Sequence, residues 1–113
     1  MSDRELNPEA LKQLQLKVMQ DVSASAIIPL MRIGDQLGIF RHLSELGEVN
    51  SEELANASNL DERYLREWLY AMSAAGFANY DSYKKKFSLS PEQIAVFAND
   101  DGPASMMGAY DML

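Results

Sequence analysis

Residues 50–93, NSEELANASNLDERYLREWLYAMSAAGFANYDSYKKKFSLSPEQ, decide the fold. Asn50 and Glu53 have the spacing of a capping box, which opens a short helix with Leu54, Ala55 and Ala57 on its inner face. A turn over Asn59 to Asp61 follows. Asn59 or Asp61 then caps the most regular helix of the chain, with Leu65, Trp68, Leu69, Met72 and Ala75 in one stripe and Gly76 at its end. Two helices so joined form a helix-turn-helix. From Phe77 the apolar period falls to two. Phe77 to Tyr80 and Lys86 to Leu89 read as short strands around the polar turn Asp81 to Lys85, a small hairpin or wing. Ser90, Pro91 and Gln93 restart a helix with a cap, a proline at its first position and a glutamine at its third, burying Ile94 and Phe97.

Upstream, Asn7-Pro8-Glu9 marks another helix start, followed by Leu11, Leu14, Val18 and Val22 at helical spacing. Ala24 to Leu37 is apolar nearly all round, interrupted by Pro29, which predicts a kinked helix buried on more than one side. In a chain this short such a surface predicts contact with a second copy or another domain, with Ile27, Ile28, Leu30 and Met31 as dimer contacts. Ile39, Phe40, Leu43 and Leu46 form a short amphipathic helix between Gly38 and Gly47. Downstream, Asn99 to Pro103 breaks the pattern, and Met106, Met107, Tyr110, Met112 and Leu113 read as an apolar helix cut short without a C-terminal cap. The expected architecture is mainly α: a winged helix-turn-helix with a β-hairpin wing, preceded by a long kinked N-terminal helix. Its expected division is 1–37 for dimerisation, 38–98 for the winged helix, and 99–113 for a linker and the start of a helix leading to an absent cofactor domain.

The totals exclude several classes. The 113 residues, 47% apolar, suit one compact domain, and the absence of cysteine rules out disulfides and thiolate chemistry. A polar, acidic start and the lack of an apolar run longer than Ala26 to Leu30 argue against a secretion signal and a membrane span, which predicts a cytoplasmic protein. The formal charge of −7 repels phosphate polymers.

The phrases Ile33-Gly34-Asp35-Gln36-Leu37-Gly38-Ile39-Phe40, Ser51-Glu52-Glu53-Leu54-Ala55 and Arg63-Tyr64-Leu65-Arg66-Glu67-Trp68-Leu69 resemble the N-terminal winged-helix domain of class I S-adenosylmethionine-dependent methyltransferases. Ala74 to Phe77 before the wing, Phe87 to Glu92 after it and the acidic 99–103 linker extend the resemblance. It implies a domain that dimerises or caps a substrate cleft, with S-adenosylmethionine held by a following Rossmann-like domain and a small molecule as the methyl acceptor. No glycine-rich loop between a strand and a helix is present, so this chain alone is expected to hold no cofactor and no catalytic residue. Gly34 and Gly38 sit in a helical pattern and read as helix packing and a helix end. Met106, Met107 and Tyr110 are the expected substrate or interdomain contacts.

Other chemistries are weaker. His42, the sole histidine, has no identifiable partner for general-base work, and Glu52-Glu53, Asp61-Glu62 and Asp100-Asp101 lack the ligand alternation of a calcium loop, so no metal site is expected. The alternative class is a DNA-binding winged-helix transcriptional regulator. Between Asn50 and Ser90, however, five basic residues face six acidic ones, and Lys84 to Lys86 read as a solvated hairpin tip, which disfavours nucleic acid.

Overall fold

The computed structural model describes residues 5–106. Helix α1 spans Pro8–Gln36 and continues through Pro29 rather than stopping there. The Asn7 side chain accepts from the amides of Glu9 and Ala10 at 3.0 and 3.1 Å, satisfying two of the free donors at the helix start. Of its 29 residues only Gly34 is fully buried. The half from Pro8 to Ala26 is exposed along its length, including Leu11, Leu14, Val18, Met19 and Val22.

The remaining elements form the winged helix-turn-helix. Helices α2 (Ile39–Leu46), α3 (Ser51–Ser58) and α4 (Glu62–Ala75) are followed by strands β1 (Asn79–Asp81) and β2 (Lys86–Ser88), then by α5 (Pro91–Phe97). The starts of α3, α4 and α5 are capped by side chains of their own sequence, while α2 starts at Gly38 without one. Asn50 and Glu53 exchange both capping-box bonds at 2.8 and 2.9 Å, and Ser90 and Gln93 do so at 3.1 and 2.8 Å. Asp61, not Asn59, caps α4, while Asn59 closes α3 in the left-handed region at φ 58°. Gly38, Gly47 and Gly76 likewise take positive φ at helix ends, where a side chain would strain the backbone.

The strands pair antiparallel with Asn79 opposite Ser88, Tyr80 opposite Phe87 and Asp81 opposite Lys86. Val49, in the turn between α2 and α3, adds a bridge on the other side of Phe87 through bonds of 3.0 and 2.7 Å. The wing is thereby tied to the helix-turn-helix. At its tip the Asp81 carboxylate accepts from the amides of Tyr83 and Lys84 at 2.9 and 3.1 Å, and Lys85 takes a left-handed φ of 57°.

The core contains Ile39, Phe40 and Leu43 of α2, Leu54 of α3, Leu65, Trp68, Leu69 and Met72 of α4, Phe87 of β2 and Phe97 of α5. Phe40 is its hub: its ring meets Trp68 edge-on at 5.0 Å between centroids and stacks on Phe97 at 5.0 Å. Three expected inward positions lie at the surface. Ala57, Ala75 and Leu46 are exposed, each near the end of its helix, where the apolar face runs past the elements that cover it. Met106 is in an irregular segment rather than a helix; its amide donates to the Val96 carbonyl at 3.1 Å and folds that segment back on α5.

Candidate functional site

The docking of α1 onto α4 builds a large recess between them. Gly34 makes the approach: a Cβ there would stand 2.4 Å from Trp68 Cζ2 and 2.9 Å from Phe40 Cε2, so only glycine lets the rings reach the helix backbone. The Trp68 indole N–H donates to the Leu30 carbonyl at 2.8 Å, which fixes the ring beside α1.

Beside this contact lies an open apolar groove of about 570 Å³. One wall is Leu30 and Ile33 of α1 with Leu37 just after its end; the other is Leu60, Tyr64, Leu65 and Trp68 around α4. Ile39 adds to the lining, and Asp61 and Glu67 supply its carboxylates. The Asp61 carboxylate is engaged at the start of α4, where it accepts from the amides of Arg63 and Tyr64 at 3.0 and 3.3 Å. An apolar recess with carboxylates on its rim is suited to binding; it holds no nucleophile and base arranged for covalent or acid–base chemistry.

The residues expected from sequence fall into three places. Ile27, Ile28, Leu30 and Met31 are half-buried and pack on this chain's own core, so only part of each surface faces outward; Leu30 also lines the groove. Met106 is exposed beside α5. Met107 and Tyr110 lie outside the described residues. Gly34 and Gly38 serve helix packing and a helix end, as their setting in a helical pattern implies. His42 is half-buried on α2 next to the exposed Arg41. Among the described residues, no group of three His, Cys, Asp or Glu could hold a metal ion.

Three of the five basic residues of the would-be nucleic-acid surface sit beside acidic ones. Lys84 Nζ lies 3.4 Å from Glu48, Lys86 Nζ lies 3.8 Å from Glu53, and on α4 Arg66 lies 3.7 Å from Glu62. These exposed pairs add little stability, yet they cancel much of the field that would attract phosphate. Tyr80 packs between Tyr70 and Phe87 in the wing, and partial burial first, then the neighbouring Tyr70 and Asp81, hold its phenol above the usual value.

Sequence reasoning missed the groove because its walls come from segments about thirty residues apart. The only local signal was Tyr64, a large side chain off the stripe of α4 and 73% exposed, next to the buried Leu65. No helix of the described residues is long and apolar enough to cross a membrane.

Comparison with known proteins identifies the scaffold. The family model described as the Rv2258c-like winged HTH domain matches residues 24–99. Among solved structures, CalO1, a methyltransferase in calicheamicin biosynthesis in its SAH-bound form, is similar at a TM-score of 0.67 and 19% identity over 96% of this chain and 30% of that one. The mitomycin 7-O-methyltransferase MmcR is similar at 0.66 and 18% identity over 75% of this chain and 25% of that one. The LepI complex with SAM is similar at 0.64 and 23% identity, covering 80% and 25% respectively. These likenesses show the fold, and the chain spans between a quarter and 30% of the length of those proteins. No curated protein matches it by sequence.

Proposed function

The chain belongs to the Rv2258c-like winged HTH domain family, and on that premise we propose that it is the non-catalytic assembly and substrate-capping part of an S-adenosylmethionine-dependent methyltransferase. In this reading residues 1–37 dimerise, residues 38–98 form the winged-helix body, and residues 99–113 lead to a cofactor domain outside this chain. Ile27, Ile28, Leu30 and Met31 contribute to a homodimer through their outward surfaces. Met106, Met107 and Tyr110 face the substrate or the cofactor domain. The protein works in the cytoplasm on a small molecule, and S-adenosylmethionine is held by the cofactor domain. Methyl transfer there would be direct attack of the acceptor on the sulfonium methyl, with this chain contributing orientation and exclusion of water.

The observation that carries the reading is the bare apolar half of α1, with Leu14, Val18 and Val22 all more than half exposed, on a body whose fold matches part of several methyltransferases. Exposed apolar surface of this kind marks an interaction site, so an assembly that covers it is favoured. Light scattering on the 113-residue chain should give twice its mass of 12.7 kDa, whereas 12.7 kDa would overturn the dimer. Calorimetric titration of the same chain with S-adenosylmethionine should produce no binding heat. Saturable heat would place the cofactor here and overturn the division of labour. Salt-sensitive binding to duplex DNA would favour the regulator reading instead, against which the paired wing lysines already count.

A further inference from the structure

Three side chains on the rim of the α1–α4 groove share one edge of α4. Asp61 precedes Tyr64 by three positions and Glu67 follows it by three, so the two carboxylates flank the phenol ring. Tyr64 is largely exposed, which leaves its ring face open to a ligand. Both amide bonds to Asp61 go to Oδ1, and its Oδ2 has no partner among the described residues. The Glu67 side chain makes neither a hydrogen bond nor an ion pair there. No Lys, Arg or His lines the groove. Behind this edge the recess is apolar, walled by Ile33, Leu37, Leu60 and Leu65. Its volume of about 570 Å³ falls within the roughly 300–1,000 Å³ of small-molecule sites.

We propose that this groove binds a hydrophobic organic monocation, a quaternary or protonated alkylammonium ion. Its apolar chain lies between the α1 and α4 walls, and its charged head lies over Tyr64 between Asp61 and Glu67. Each part of the site selects for one part of the ligand. The chain is favoured in proportion to the apolar area it removes from water. The ring face attracts a cation through its quadrupole. The two carboxylates attract the same head and disfavour an anionic one. The formal charge of −7 acts in the same direction at longer range. A bare metal ion does not fit, because among the described residues no three ligating side chains converge. The ligand is held by this chain itself, so the inference does not rest on the dimer reading; it requires only that the groove stay open in the assembly the chain forms.

The probe is octyltrimethylammonium, with octanoate as the anionic control, each kept below its micelle concentration. Both are titrated into the 113-residue chain by calorimetry and by emission of Trp68, the only tryptophan, which lines the groove. The proposal predicts saturation at one octyltrimethylammonium per chain, weakened by added salt, with octanoate at least roughly tenfold weaker. Glu67→Gln leaves the cap of α4 intact and should weaken the cation roughly two- to fivefold without weakening octanoate. Leu37→Lys, at a half-exposed position of the wall, should abolish saturation by the cation. Tyr64→Leu, also at an exposed position, should weaken the cation by about as much as Glu67→Gln and serves should either of the others fold poorly. No saturable binding, equal binding of the two probes, or unchanged cation affinity in the folded variants would overturn the proposal. Saturation of the monomer but not of the dimer would mean that a second copy covers the groove, which overturns it as well. Saturation of a chain that is monomeric at every concentration would sink the dimer reading and support this one.

Discussion

Replacing Gly34 with alanine tests how α1 is fastened to the body. Away from contacts the change would stabilise the helix by about 1 kcal/mol through backbone propensity. Here the new methyl would lie 2.4 Å from Trp68 Cζ2 and 2.9 Å from Phe40 Cε2, against an ordinary carbon separation of about 3.5–4.0 Å. Relief requires α1 to move off α4 by roughly 1 Å, because Trp68 is held between Phe40 and the Leu30 carbonyl. Overpacking of this kind costs about 1–3 kcal/mol, and loss of the indole hydrogen bond adds about 1 kcal/mol. The balance is a destabilisation of about 2 kcal/mol, or a fall in Tm of roughly 10 °C for a domain of this size. Urea unfolding followed by Trp68 emission and by circular dichroism measures it. Trp68→Leu as a second change should shrink the alanine penalty, since the two residues share the contact. An alanine variant as stable as the parent, or more so, would refute the account of Gly34.

Other expectations are simpler. Leu43→Ala, at a fully buried position of α2, should cost about 2–5 kcal/mol by urea unfolding. Ser90→Ala should cost about 1 kcal/mol and loosen the start of α5, read as faster amide exchange at Gln93, whose N–H loses its acceptor. Tyr80 gives an alkaline signature. Its folded phenol titrates above the unfolded value of about 10, so its contribution is complete below that pH and is lost as pH rises through the folded value. Tyr80→Phe should therefore flatten the fall in stability above about pH 10, measured by unfolding at stepped pH.

The helix starts were legible because each is written within four residues: Asn7 before Pro8, Asn50 with Glu53, Ser90 with Gln93. The hairpin was legible from the change of apolar period at Phe77. What could not be read is what joins distant segments. The Val49–Phe87 bridge spans 38 positions, as does the bond from Trp68 to Leu30, and neither leaves a periodic trace. The same reason hid the groove. It also limited the dimer residues: the pattern showed Ala24 to Leu37 as apolar on all sides, but not that Ile27, Ile28 and Met31 would spend part of that surface on their own core. The larger unpartnered surface lies upstream, at Leu14, Val18 and Val22.

Sedimentation equilibrium of the parent chain beside Leu14→Asp/Val18→Asp is the most direct test of the assembly role. Both positions are exposed on α1 and lie outside the groove and the core of their own chain, so the folded body should keep its far-ultraviolet spectrum and Trp68 emission maximum. The account predicts a dimer for the parent and a folded 12.7 kDa monomer for the variant. A variant that remains dimeric, or a parent that is monomeric at every concentration, would contradict it.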